Sequence, residues 1–185
     1  MTELQKITND GFQYGLEFVI NPERGDDWMA TNVNYNLVLS KHYNWMYCIL
    51  ADGMPIYYGE SGELLAVAKQ RKDGTLTLSH DTATRLGTWL KHYTDDRYEH
   101  RKKQVFLNYI KEGKRLVLYV RKGPPLVCTE GMNWMQAYNN AKPARKHLES
   151  YYITRHWALY GKGSLTNKKA GHLGEYSIED QVAVW

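Results

Sequence analysis

Two tyrosines, Tyr47 and Tyr57, are the side chains whose placement first suggests chemistry. The run Trp45–Leu50 is apolar and aromatic, Asp52-Gly53 is a turn dipeptide, and Pro55–Gly59 resumes an extended aromatic run. This pattern predicts a β-hairpin with one tyrosine on each strand. The hairpin could bring the two phenols side by side, where they could act on one substrate atom. Two ordinary core tyrosines of a sheet are the alternative.

A single carboxylate stands out further along the chain. Glu149 is the only acidic residue between Gly131 and Tyr160, and Lys, Arg and His surround it. It could pair with Arg145, four residues earlier on the same predicted helix. Ile153, four residues later, puts part of its neighbourhood on an apolar face, so we expect it to point inward at a cleft. A partly buried carboxylate is costly unless it holds a cation, and oxygen ligation by one Glu plus waters suits Mg²⁺ or Mn²⁺.

The net charge of +4 conceals an asymmetry along the chain. Residues 1–96 carry a formal balance of −5, residues 97–169 a balance of +12, and residues 170–185 a balance of −3. Such a one-sided excess, with aromatic residues interleaved, indicates a polyanionic partner such as a nucleic acid. The candidate contacts within the basic part are Arg101, Lys102, Lys103, Arg121, Lys162 and Lys168.

Several function classes have no signature in this sequence. No stretch approaches the length of a transmembrane helix, and the N-terminus lacks the apolar run of a signal peptide. Cys48 and Cys128 have no metal-ligand spacing, and Cys48 is expected as a buried apolar residue, so we expect a cytoplasmic location. The seven histidines form no zinc motif, and no Walker loop, dinucleotide fingerprint or serine elbow occurs.

The order of the predicted elements indicates an α/β (α+β) domain with a small central β-sheet flanked by helices. Residues 1–40 are expected to form an N-terminal extension, residues 41–170 the main domain and residues 171–185 a tail. Besides the hairpin, we expect helices over Glu63–Gln70, His80–Tyr93, about Arg97 to Lys111 and about Pro143 to Tyr160, and strands over Thr75–Leu78 and Arg115–Arg121.

The helix expected from about Arg97 to Lys111 has a predicted orientation. Its apolar spacing places Val105, Phe106, Tyr109 and Ile110 inward, and Arg101-Lys102-Lys103 outward. Gly113 is expected to cap its end.

The hairpin resembles that of the GIY-YIG endonucleases, whose name spells two tripeptides. Met46-Tyr47 stands for the end of the first, and Tyr57-Tyr58-Gly59 for the second. Trp45 replaces a glycine and Tyr58 an isoleucine. The resemblance extends over roughly residues 43–168 and includes the pattern His80-x-x-x-x-Arg85-Leu86, which is similar to the restriction-enzyme branch of the family.

The resemblance implies a metal-dependent DNA endonuclease of the restriction or phage type. Tyr47 would take the proton of the attacking water, with Tyr57 assisting. Arg85 would neutralise the phosphate oxygens and Glu149 would hold one Mg²⁺ (or Mn²⁺). Asn167 matches the asparagine with which the family's core usually closes.

Two assignments keep alternatives. Arg71 is closer to the spacing of shorter family members, but we favour Arg85 because a helix fixes a guanidinium better than a turn does. Either arginine could instead form a surface salt bridge. His80 and His92 could act as general base or bind phosphate, or be ordinary surface histidines.

The expected partner is double-stranded DNA, with no membrane. One such site cuts one strand, so double-strand cleavage would need a homodimer on DNA or two sequential nicks. A catalytically inactive GIY-YIG-like module that only binds nucleic acid is the alternative. A protein–protein module with an acidic partner is a third possibility.

Overall fold

The protein folds around a five-stranded antiparallel β-sheet, seen in a computed structural model that describes residues 1–95, 98–123 and 129–169. The sheet order is β2-β1-β7-β3-β4, and β5 and β6 form a separate small hairpin. The elements are α1 Glu3–Asn9, β1 Gln13–Asn21, β2 Arg24–Thr31, α2 Tyr35–Val38, β3 Trp45–Ala51, β4 Met54–Ser61, β5 Ala68–Gln70, β6 Leu76–Leu78, α3 Arg85–Leu90, α4 Tyr98–Lys111, β7 Leu116–Lys122 and α5 Trp134–Tyr160, followed by a 3-10 turn, Lys162–Ser164. The mixed fold with a central sheet is as predicted.

The β3–β4 hairpin confirms the prediction made from the aromatic runs. Asp52 and Gly53 both have positive φ, 49° and 82°, as a two-residue hairpin turn requires. The register pairs Tyr47 with Gly59 and Tyr57 with Ile49. The two tyrosines therefore lie diagonally on one face of the sheet.

Helices cover both faces of the sheet, and every residue of β3 is buried as a result. Tyr47 and Ile49 belong to one core cluster, with Trp89 of α3 and Phe106 of α4. The alternate residues Met46, Cys48 and Leu50 belong to a second cluster, with Ile7 of α1 and Tyr152, Ile153 and Trp157 of α5. None of the helices in the described ranges is both long and apolar enough to cross a membrane.

Residues 1–40, expected as an N-terminal extension, contribute α1, β1, β2 and α2. Strand β1 pairs with β2 on one side and with β7 on the other, so this part of the chain builds the sheet itself. The expected tail, residues 171–185, and Cys128 lie outside the described residues.

Three predicted helices are wrong in whole or in part. Residues 63–67 are not helical, and Ala68–Gln70 forms β5. The helix expected from His80 begins only at Arg85, where the Thr84 side chain caps it. The last helix begins at Trp134, nine residues before Pro143, because Asn133 and Gln136 form a capping box.

Helix α4 has the predicted extent, and Phe106, Tyr109 and Ile110 pack against the core as predicted, but Val105 and two of the lysines are placed differently. Val105 is exposed, whereas Lys103 is buried and Lys102 half-buried. Leu107 and Phe106 are the residues that fill the core. Lys102 and Lys103 lie one turn before them and therefore share their face. Gly113 has a φ of 80° and ends the helix as predicted.

Candidate active site

The two tyrosines predicted to act together do lie side by side. The ring centroids of Tyr47 and Tyr57 are 6.1 Å apart and the ring planes differ by 28°. The Trp89 ring stands edge-on to Tyr47 at 5.0 Å and closes the site from the side of α3. Tyr47 is only 3% exposed.

Arg85 reaches these tyrosines from the first position of α3. The backbone N–H groups of Arg85 and Leu86 donate to the carbonyls of Leu64 and Leu65 at 3.2 and 2.9 Å, which ties the helix start to the loop after β4. The guanidinium carbon lies 6.0 Å from the Tyr47 ring centroid. The buried Nε atom has no hydrogen-bond partner among the described residues.

Arg71, the rival arginine, lies elsewhere. It occupies the turn between β5 and β6, is exposed, and lines a cleft of about 490 Å³ together with His80 and His92. The geometry therefore places Arg85, and not Arg71, beside the tyrosines.

Glu149 enters the same place from α5 and is 8% exposed. Its Oε2 atom has no hydrogen-bond partner among the described residues. Burial, and then the negative charge of Glu60, raises the pKa of Glu149 to about 7, while Lys102 and Lys146 act in the opposite direction. A buried carboxylate with one oxygen left without a hydrogen-bond partner fits a bound cation.

Arg145 and Glu60 hold α5 against the hairpin. Arg145 donates from Nε to Glu60 Oε2 at 2.5 Å and from Nη1 to Asn44 Oδ1 at 3.1 Å. The Arg145 side chain of this ion pair is 3% exposed, and the Glu60 side chain is 13% exposed. Because Glu149 lies one turn further along α5, this ion pair fixes its position relative to β4.

Lys102 belongs to the site although the sequence suggested a surface residue. Its ammonium group donates to the Tyr57 hydroxyl and lies 3.7 Å from the Tyr57 ring centroid. Burial, and then the charge of Arg85, lowers the pKa of Lys102 to about 7. The available signal was the spacing to Phe106, four residues later on the apolar face of α4.

The Tyr47 hydroxyl lies among groups that act on its ionisation in opposite directions. Burial raises the pKa of Tyr47 strongly, and the nearby Glu149 and Glu60 raise it further. The charge of Arg85 and a hydrogen bond from Tyr57 lower it again, since both favour the phenolate. Tyr57 in turn accepts from Lys102, so positive charge lies at the outer end of this chain.

Asn167 contacts the backbone of strand β4 rather than the side chains of Tyr47, Arg85 and Glu149. Its Oδ1 accepts from the Tyr58 N–H at 3.0 Å, and its Nδ2 donates to the Tyr58 carbonyl at 2.8 Å. Thr166 donates to the Ile56 carbonyl from both its N–H and its hydroxyl. The segment thus continues the hydrogen bonding of β4 beyond its outer edge and supports the strand that carries Tyr57.

His80 and Lys103 are not brought to the tyrosines. His80 lines the cleft beside Asp27 and His92, and burial lowers its pKa. Lys103 forms a buried ion pair with Asp27 at 2.5 Å. His92 Nδ1 lies 3.2 Å from the other oxygen of that carboxylate. Lys103 is therefore a structural residue rather than an outward DNA contact, and His80 is remote from the candidate chemistry.

The other four candidate DNA contacts lie on separate elements. Arg101 is exposed on α4, and Lys162 and Lys168 are exposed after α5. Arg121 of β7 donates to the Tyr152 hydroxyl at 2.6 Å.

The side chains of this site would hold a divalent cation through the single carboxylate of Glu149. Within the described ranges, no three His, Cys, Asp or Glu side chains cluster as a metal site would require. Mg²⁺ commonly binds through one or two carboxylates and keeps several waters. Glu149, with its unpartnered oxygen, meets that requirement, whereas a dedicated protein cage does not exist in this part of the molecule.

Comparison with known proteins gives a sparse result. No family model and no curated protein matches the chain. Among solved structures, the chain is similar to endonuclease EndoII of bacteriophage T4, solved as a point mutant, at 16% identity and a TM-score of 0.41. The match covers 66% of this chain and 74% of that one. At this level the likeness carries no conclusion about activity.

Proposed function

We propose that this protein is a metal-dependent DNA endonuclease that hydrolyses phosphodiester bonds, similar in its site to the GIY-YIG nucleases. The observation that carries the proposal is the meeting of Tyr47, Arg85 and Glu149 at one place. Two buried polar atoms there, Arg85 Nε and Glu149 Oε2, lack partners among the described residues. Arg85 Nε has a proton to donate, and Glu149 Oε2 has lone pairs. A phosphate would accept the hydrogen bond from Arg85, and its counter-cation would bind the Glu149 oxygen.

The residues divide the work of hydrolysis. Arg85 binds the non-bridging oxygens and stabilises the charge that develops on them. Tyr47 takes the proton of the attacking water, and Arg85 and the Tyr57 hydroxyl are the neighbours that favour its phenolate against the effect of burial. Lys102 holds the Tyr57 hydroxyl in place. Glu149 would hold one Mg²⁺ or Mn²⁺, which when bound supplies positive charge beside the leaving 3′ oxygen.

Double-stranded DNA is the proposed substrate. The charge balance of +12 over residues 97–169 supports a polyanionic partner and contributes affinity without sequence choice. One site cuts one strand, so cleavage of both strands requires a homodimer or two successive nicks. Sequence-selective cleavage in a reducing cytoplasm, as for restriction or phage nucleases, is part of this proposal.

A catalytically silent DNA-binding module is the second candidate, and the burial of Tyr47 favours it. A phenol that is 3% exposed and has a raised pKa is a poor base unless substrate binding changes its surroundings. This candidate predicts DNA binding with a steep salt dependence and no cleavage with any divalent cation.

Incubation of supercoiled plasmid with the purified protein tests the proposal. We expect nicked or linear products with Mg²⁺ or Mn²⁺ and none with EDTA. Intact plasmid with every cation, together with retained DNA binding, would show that the protein is the catalytically silent DNA-binding module. Intact plasmid without binding would reject both.

A further inference from the structure

The first part of α5 is a helix exposed on most of its surface. Between residues 135 and 144, Ala137 is buried and Ala141 half-buried, and the other side chains that the structure describes are exposed. Ala137 and Ala141 lie four residues apart and mark the side that rests on the protein. The opposite side faces solvent. A helix with no apolar stripe to pack against the rest of the protein is unusual.

That solvent side continues the face of Glu149. At 100° per residue, Met135, Asn139, Lys142, Lys146 and Glu149 fall within an arc of about 80°. We call Met135, Asn139, Lys142 and Lys146 the basic face of α5. With a rise of about 1.5 Å per residue, Lys142 lies about 10 Å and Asn139 about 15 Å from Glu149 along the axis.

The charge on this face has one sign. No acidic residue occurs between positions 131 and 148, and Glu149, which interacts with Lys146, is the first carboxylate along the helix. A surface of this kind attracts a polyanion. Because it leads directly to the carboxylate of the candidate site, a polyanion on it would extend into that site.

The residue types on the face favour duplex DNA over an acidic protein. An α-helix fits the major groove, and Asn is a side chain that pairs with the edge of adenine through two hydrogen bonds. Pro143 has no N–H to donate to the Asn139 carbonyl, so an acceptor also stays open there. Lysines that alternate with such an amide supply contacts to phosphates.

We propose that the basic face of α5 contacts the DNA duplex beside the cleavage point and that Asn139 reads an adenine in the major groove. This inference rests on the proposed function and adds the element that selects the sequence. At 3.4 Å per base pair, an axial distance of about 15 Å places the adenine within about four base pairs of the cut.

Binding measurements without cleavage test the phosphate contact. Fluorescence anisotropy with a labelled duplex in EDTA gives the dissociation constant at several salt concentrations. Lys142→Ala is expected to reduce the slope of log affinity against log salt by about 0.9, the value of one phosphate contact. Lys111→Ala is the matched control, since Lys111 is exposed at the end of α4. An unchanged slope in Lys142→Ala would overturn the contact.

Mapping of cleavage ends tests the reading role. Asn139→Ala is expected to lose about 5- to 150-fold of the preference for one adenine near the cut. Asn140→Ala, an exposed neighbour of the same type that points about 100° away, should cut like the wild type. If both variants keep the same preference while the wild type binds and cuts, the inference fails and the proposed function stands. If the wild type neither binds nor cuts, the proposed function itself fails.

Discussion

The ring of Tyr47 occupies the space that a Cβ atom at position 59 would need. Gly59 lies opposite Tyr47 in the hairpin register, and a Cβ there would clash with the ring carbons and the hydroxyl. The glycine of the second tripeptide therefore allows the tyrosine of the first to lie across β4. This contact explains in physical terms why the two short motifs belong together.

Gly59→Ala is therefore expected to displace the Tyr47 ring. Overpacking of a filled core costs about 1–3 kcal/mol of the free energy of unfolding. Chemical denaturation measures the loss. Gly25→Ala is the matched control, because a Cβ at that strand position meets no atom. Equal stability of the two variants would contradict the contact.

Removal of the Asn167 amide is expected to loosen β4. Asn167→Ala deletes two hydrogen bonds to the backbone of Tyr58, at a cost of about 1–3 kcal/mol. Hydrogen exchange of the Tyr58 amide should accelerate more than that of amides inside β3. Asn108→Ala, on the exposed side of α4, should leave exchange unchanged. Continued protection of Tyr58 would show that the side chain is dispensable.

Lys103→Met is expected to destabilise the fold because it leaves Asp27 buried without its cation. Breaking a buried ion pair by removing one partner costs about 3–5 kcal/mol. Lys111→Met, at an exposed position of the same helix, should have little effect. The melting temperatures of the two variants measure the difference. A similar small change in both would mean that Lys103 is not needed for folding.

Because His156 is buried, the free energy of unfolding is expected to fall in weak acid. Burial lowers its pKa to about 4 from an ordinary 6.5, and its Nε2 atom has no partner among the described residues. Below pH 6.5 the unfolded chain binds a proton that the folded protein refuses, so stability falls as the pH drops from 6.5 towards 4.

His156→Phe should reduce that fall, since Phe keeps a ring against Tyr160 and cannot be protonated. Denaturation at pH 7.5 and pH 5 measures it. We expect the wild type to lose roughly 1–2 kcal/mol more than the variant between these values. Parallel losses would contradict the role of His156.

The hairpin and the positions of Tyr47, Tyr57 and Glu149 could be predicted because their signals are local. The turn dipeptide, the aromatic runs and the apolar neighbours of Glu149 all lie within a few residues. The capping box Asn133–Gln136 is equally local, but Pro143 is also a typical helix-start residue, and the structure tolerates it inside an exposed helix.

The environments of Lys102 and Lys103 could not be predicted in the same way. Lys103 is buried because Asp27, on a strand 76 residues away, pairs with it. Three adjacent basic residues suggest a solvated face, and only the tertiary partners reverse that assignment. Likewise, the carbonyls of Leu64 and Leu65 accept from the first backbone N–H groups of α3, so a segment with helical propensity does not form a helix.

The single-turnover cleavage rate of Glu149→Gln with Mg²⁺ tests whether Glu149 holds the catalytic cation. Gln keeps the size of the side chain but removes the charge that would hold the cation. Glu130→Gln, at an exposed position, is the matched control. We expect Glu149→Gln to bind the duplex without cutting it, and Glu130→Gln to cut like the wild type. Full cleavage by Glu149→Gln would rule out the proposed role of Glu149 in holding the cation.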